Sequence, residues 1–153
     1  MNNNIRQLIG RNNRAGYDYF IEDEYEAGII LKGTEVKSLR TKGATSLIEA
    51  HVNVNDGEAY IYNLYIPEYL QANRFNHLPR RPRKLLLHAK QIKRLIGVIK
   101  KDRLAIIPLQ MYFNRKNLVK LIIAVCKGKK THDKRETIKQ REWIRKKSRK
   151  DFE

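Results

Sequence analysis

Apolar and polar residues alternate most clearly in HVNVNDGEAYIYNLYI, residues 51–66. Val52 and Val54 alternate with polar residues, Asp56-Gly57 supplies a two-residue turn, and Tyr60, Ile61 and Tyr62 begin the return strand. That pattern predicts a β-hairpin. Upstream, YDYFIEDEYEAGIIL (17–31) is aromatic and β-branched and reads as strand, and GTEVKSLR (33–40) continues the region. Downstream, PEYLQANRFNHLPRRPR (67–83) is a long connection with three prolines, ending in the basic block Arg80, Arg81, Arg83 and Lys84. KLLLHAKQIKRLIGVIKKDR (84–103) reads as a helix, because Leu85, Ile92, Leu95, Ile96 and Ile99 approximate one apolar stripe with Lys opposite. RLAIIPLQMYF (103–113) and LVKLIIAVCK (118–127) form a second hairpin over the turn NRKN. Pro108 calls for an edge position or a bulge.

Strands, one helix and two further strands imply a mainly β fold. The order suits a small antiparallel barrel, closed or nearly so, like the five-stranded Greek-key barrel that binds oligonucleotides. Three segments follow: a polar, loosely ordered N-terminal extension (1–16), a barrel (17–127) and a basic tail (128–153). No internal repeat is visible.

Charge narrows the function. The 153 residues carry 33 Lys and Arg against 16 Asp and Glu, a net charge of +17. The excess is spread over the whole chain: +3 in residues 1–16, +7 in 17–126 and +7 in 127–153. A basic body with a basic tail points to a polyanion, and nucleic acid is favoured over a membrane surface. KGKKTHDKRETIKQREWIRKKSRK (127–150) holds twelve Lys or Arg, with Ile138, Trp143 and Ile144 as its large apolar residues. Such a segment cannot bury enough apolar surface to offset its ordering entropy, so it reads as disordered unless something outside the chain orders it. The single cysteine, Cys126, lies in an apolar run, excludes an internal disulfide and reads as a small buried hydrophobe. MNNNIRQLIG lacks the apolar core of a signal peptide, and no apolar run approaches the about 20 residues that span a bilayer. The expectation is a cytoplasmic protein without a membrane partner.

The search for a catalyst fails. EDEYE clusters Glu22, Asp23, Glu24 and Glu26, and strict alternation would place the three glutamates on one face, where they could hold a metal. A solvated face is favoured, and a carboxylate accepting from an RNA base or ribose edge is a third use. His51, His77, His88 and His132 lie far apart, without metal-ligand spacing. There is no nucleophile elbow and no phosphate-cradling GxxxxGK[ST]. His132 next to Asp133 sits in a tail with no fixed geometry, which acid–base catalysis requires. The reading is a non-enzyme with no cofactor and no metal site. Tyr60, Tyr62 and Leu64 share a strand face, and core packing is favoured over base stacking.

Several stretches together resemble one family. NRAGYDYFIEDEYEAGIILKGTEVKSLR, DGEAYIYN, RPRKLLLH and above all KGKKTHDKRETIKQREW are similar to small protein B (SmpB), the SsrA-binding proteins of bacteria. The resemblance covers residues 12–145. It implies an OB-like antiparallel β-barrel with flanking α-helices and a tail that is disordered when free. It also implies binding to transfer-messenger RNA (tmRNA) and rescue of ribosomes stalled on mRNA without a usable stop codon. In the family, the tRNA-like part of the RNA brings alanine, and translation resumes on a frame encoding a degradation tag. The protein takes the place of the missing anticodon arm.

The implied partners are tmRNA, the ribosome at its small-subunit decoding centre and mRNA path, and elongation factor Tu in complex with alanyl-tmRNA. The implied state is a monomer. By the same resemblance Glu26 is the acidic contact to the tRNA-like domain and Arg40 a basic one. Arg83, Lys84, Leu86 and His88 fall in the RNA-contacting stretch RPRKLLLH. Lys120, Gly128, Lys129 and Lys130 are further RNA positions, and Leu86 as core remains open. His132, Asp133, Lys134, Arg135, Ile138, Arg141, Trp143 and Arg145 belong to the ribosome-contacting tail, which becomes helical there. At helical spacing Lys134, Ile138, Arg141, Arg145 and Arg149 share a stripe, with Trp143 and Ile144 off it. No role carries over to residues 146–153. Two other readings stand beside this one. The first is a general OB-type RNA chaperone or ribosome-associated protein that binds through charge alone. The second is a metal-dependent nuclease built on EDEYE.

Overall fold

A computed structural model describes residues 5–41, 44–72, 75–101 and 104–150. The first hairpin is β3 (His51–Asn55) and β4 (Glu58–Tyr62). Its two turn residues both have positive φ, 51° at Asp56 and 74° at Gly57, the geometry that matches strand twist. The second hairpin is β6 (Leu104–Asn114) and β7 (Val119–Gly128). Its register slips between Pro108 and Gln110, so the proline sits at a bulge. β6 is not an edge, because β1 (Ile5–Arg11) pairs with its other side. β2 (Tyr19–Ile29) runs antiparallel along β7, with Tyr19 opposite Gly128 and Gly28 opposite Lys120.

Four segments differ from the sequence reading. Residues 5–11, read as part of a loose extension, are strand β1; bulges after Ile5 and Leu8 break its period of two and hide it. GTEVKSLR is not strand but helix α2 (Gly33–Arg40), started by Glu35, which accepts from the Lys32 backbone N–H at 2.9 Å. The helix expected from residue 84 begins later, as α3 (Ala89–Ile99), because Arg83–Leu86 forms strand β5. The tail is helical: α4 spans Thr131–Lys150, after a single turn, α1 (Ala15–Asp18), near the N-terminus. Apolar content argued against order in the tail, but residues 131–150 contain no Gly or Pro and are rich in Lys, Arg, Gln and Glu, which favour helix. None of the α4 residues is buried.

The strands form one antiparallel sheet in the order β1-β6-β7-β2-β5-β4-β3. The sheet is not closed into the barrel expected. β1 and β3 are its edges, although β3 curls back against β6. Leu95 of α3 is fully buried, and α3 packs on both β3 and β6, so a helix fills the seam where ladder bonds would close a barrel. The core lies inside this curl and includes Ala27, Leu39, Val52, Ile61, Leu85, Leu95, Met111, Leu121 and Ile123.

One buried charge cluster holds the connection after β4 to the sheet. Glu35 and Arg83 are both fully buried. The Glu35 carboxylate accepts from Arg83 Nε and from Arg81, whose Nε lies at 2.9 Å. Arg83 also donates to the carbonyls of Leu64 (2.6 Å) and Pro79 (3.1 Å). Nearby, buried His77 donates from Nε2 to the Ile66 carbonyl at 3.0 Å, and Thr34 Oγ1 lies 3.0 Å from its Nδ1.

Candidate nucleic-acid interface

Because side chains alternate across a strand, the residues flanking core positions Ala27, Leu85, Leu121 and Met111 point away from the core. Register places them in rows on the outer sheet face. Tyr112, Lys120, Gly28 and Leu86 form one row, and Gln110, Ile122 and Glu26 the next. Tyr60 and Lys84 continue the face onto β4 and β5. Four residues assigned to RNA by resemblance, Glu26, Lys84, Leu86 and Lys120, thus come from three strands onto one surface. His88 joins its border, exposed at the start of α3, where its backbone N–H donates to Gln91 Oε1 at 3.0 Å.

Gly28 sets the spacing of this face. A Cβ there would lie 3.2 Å from Leu86 Cβ and 3.6 Å from Lys120 Nζ. The missing side chain lets an aliphatic and a cationic group close over the strand. Leu86 is 53% exposed, so the open question of core against surface resolves to surface. Tyr60 and Tyr62, favoured above as core, also differ: Ala59, Ile61 and Leu64 are the core residues. Tyr62 stacks on His51 with ring centroids 5.5 Å apart. Tyr60 donates to Glu58 at 2.7 Å, and Glu58 pairs with Lys84 at 2.8 Å. The bond from Lys84, then that from Tyr60, holds the Glu58 carboxyl below its ordinary pKa.

Other residues assigned to RNA stand elsewhere. Arg83 lies in the core, where its guanidinium is held by Glu35 and two carbonyls and does not reach the outer face. Arg40, exposed at the end of α2, lines a separate cleft at the β1 edge with Arg6, Gln7, Phe113 and Asn117. Lys129 is committed inward: its ammonium donates to Gly16 O and Thr137 Oγ1, each at 2.9 Å, and lies 4.7 Å from the Phe20 ring centre. It clasps α4 to α1 and β2. Lys130 is exposed, and its backbone N–H donates to Asp133 Oδ2 at 3.3 Å, capping α4. Gly128 is not demanded by packing, since a Cβ there would meet nothing within 4 Å.

In the tail, Lys134 Nζ lies 3.5 Å from Asp18 Oδ1 and 5.7 Å from the Tyr17 ring centre, and Arg141 approaches Gly16. The start of the basic stripe therefore faces α1. Ile138, at 41% exposure, follows Lys134 on that stripe. His132 Nε2 lies 3.3 Å from Glu136 Oε1 in the first turns. Arg135 and Arg145 are exposed, and Trp143, 63% exposed, lies under Lys147.

EDEYE does not build a metal site. A register shift between Ile21 and Asp23 bulges the strand and breaks the alternation. Among the described residues no group of three or more His, Cys, Asp or Glu could hold a metal ion. Burial, and then Glu22 and Glu24, pushes the Cys126 thiol up to about 11, consistent with an inert structural thiol. No helix among the described residues is long and apolar enough to cross a membrane. Sequence reasoning missed Tyr112, Gln110 and Arg6. The first two sit in a strand that reads as mostly apolar, and the third in the hidden strand β1.

The chain has relatives among known proteins. Residues 9–152 match the family model described as SmpB protein. An SsrA-binding protein of Afipia carboxidovorans is 54% identical over 143 residues, covering 94% of this chain and 90% of the relative. One of Nitrobacter hamburgensis is 52% identical with the same coverage. A solved structure described as "tmRNA-SmpB: a journey to the center of the bacterial ribosome" superposes with a TM-score of 0.69 at 42% identity, over 84% of this chain and 93% of that one. The match runs from within β1 through the rest of the sheet to the tail, and the chain belongs to the SmpB protein family.

Proposed function

We propose that this chain binds tmRNA and serves trans-translation, the rescue of ribosomes stalled on mRNA lacking a stop codon. It is an RNA-binding protein and not an enzyme. The observation that carries the reading is the outer sheet face. It offers one carboxylate, one lysine paired to a carboxylate, a second lysine and an exposed leucine around a glycine. This is the mix that reads a folded RNA: cations for phosphates, a carboxylate for a base or ribose edge, and an apolar surface for an unstacked base. Helix α4 is the second working part. Having no buried residue, it gains its lasting order from an RNA-walled channel, the decoding centre and mRNA path of the ribosome. The chain acts as a cytoplasmic monomer, and alanyl-tmRNA brings elongation factor Tu to the same complex.

Glu26→Ala tests the face. It is expected to weaken tmRNA binding about tenfold or more, because a charged hydrogen-bond acceptor is lost. The variant should still fold, read as one cooperative thermal transition, as Glu26 is exposed. Unchanged affinity in a filter-binding titration would remove Glu26 from the site.

A further inference from the structure

Tyr112 is unusual for a residue on the outer face. It is 0% exposed although its row partners, Lys120 and Leu86, reach solvent. Its hydroxyl and Gln110 Oε1 are buried side-chain oxygens, and neither makes a hydrogen bond of acceptable geometry among the described residues. A buried hydroxyl left without a partner costs about 1–3 kcal/mol, so its retention calls for a reason. The charged group acting on the phenol is the Glu26 carboxylate.

The register explains how the two meet. Glu26 is on β2 and Tyr112 on β6, with β7 between them, and their rows are offset by one step. Strands are about 4.8 Å apart and alternate rows about 7 Å apart, so a short side chain on β6 cannot bridge the gap. A tyrosine lying across β7 can. Burial, and then the nearby Glu26 carboxylate, pushes the phenol pKa up. The hydroxyl stays protonated at neutral pH and is available to Glu26 as a donor.

We propose that Tyr112 is a positioning residue of the RNA site, whose hydroxyl reaches across β7 to fix the Glu26 carboxylate for its contact with RNA. The proposal rests on the reading of Glu26 given above. A carboxylate already held by one donor loses less freedom when the RNA binds, and its remaining lone pairs face a set direction. Tyr112 itself need not touch the RNA.

The test is a double-mutant cycle in the full chain, read as the tmRNA dissociation constant, with Tyr112→Phe, Glu26→Ala and the double variant. Phe keeps the buried ring and removes only the hydroxyl. Tyr112→Phe is expected to weaken binding about five- to tenfold with its thermal midpoint unchanged or raised, and to cause no further loss in the Glu26→Ala background. A Tyr112→Phe variant that binds as tightly as the wild type while Glu26→Ala is weakened would overturn the proposal alone. So would an equal Tyr112→Phe loss in both backgrounds, which is what a merely structural role would give. If Glu26→Ala itself binds normally, the reading of the face falls and the positioning role falls with it.

Discussion

Removing residues 131–153 is expected to leave tmRNA affinity within about fivefold of the full chain and to abolish tagging on stalled ribosomes. The ties that would be lost are polar and near the surface: Lys129 to Thr137, Lys134 to Asp18, and Arg141 beside Gly16. Such contacts are each worth about 0–1 kcal/mol, and α4 contributes no buried residue. The outer sheet face is built entirely from β2, β4, β5, β6 and β7 and stands without the tail. Affinity measured on purified tmRNA, with tagging in a reconstituted translation system, separates the two parts. A truncated chain that no longer binds tmRNA would mean that the tail is part of the RNA site.

The second large effect concerns stability. Glu35→Gln is expected to destabilise the fold by about 3–5 kcal/mol, because it leaves the Arg83 guanidinium charged, buried and without its counter-ion. In a chain of this size the loss lowers the melting midpoint by roughly 10 °C. Burial alone would raise the Glu35 pKa, but the hydrogen bonds from Arg81, Lys32 and Arg83 outweigh it and hold the carboxyl below its ordinary 4.5. A depressed carboxyl stabilises fully above its unfolded value and loses that contribution as pH falls through the folded one. The gap between wild type and Glu35→Gln should therefore narrow below pH 4.5, as read by urea unfolding across pH. A variant as stable as the wild type at neutral pH would mean that the Leu64 and Pro79 carbonyls satisfy Arg83 unaided.

The basic block at residues 80–84 carries a lesson about reading charge from sequence. It reads as one cationic patch, yet its members have three fates. Arg80 pairs with Glu49 at the surface, Arg81 and Arg83 close on buried Glu35, and Lys84 alone joins the outer sheet face. A charge count cannot distinguish them, because the partner of Arg83 lies 48 residues away in α2. The same limit hides Tyr112, whose role depends on a strand two places across the sheet. The hairpins were legible, since their turns and alternation are local. Helix α2 was not: it is eight residues long, holds Thr34 and Val36, and is fixed through the buried Glu35. Closure into a barrel could not be read either, because it depends on where α3 docks. The candidate face was legible largely through motifs. Glu26 of EYEAG, Lys84 and Leu86 of RKLLLH, and Lys120 converge in space, whereas chemical type alone left EDEYE open between metal ligand, solvated face and RNA contact.

The central claim is that the sheet face recognises the shape of one RNA and that the +17 charge adds to this without replacing it. The most direct measurement is binding of the purified chain to tmRNA at physiological salt, with about a hundredfold excess of unfractionated tRNA as competitor. The account predicts that the tmRNA complex persists with little change in apparent affinity. Binding that collapses under this competition would contradict it, and would leave a general RNA-binding protein held to its partners by charge.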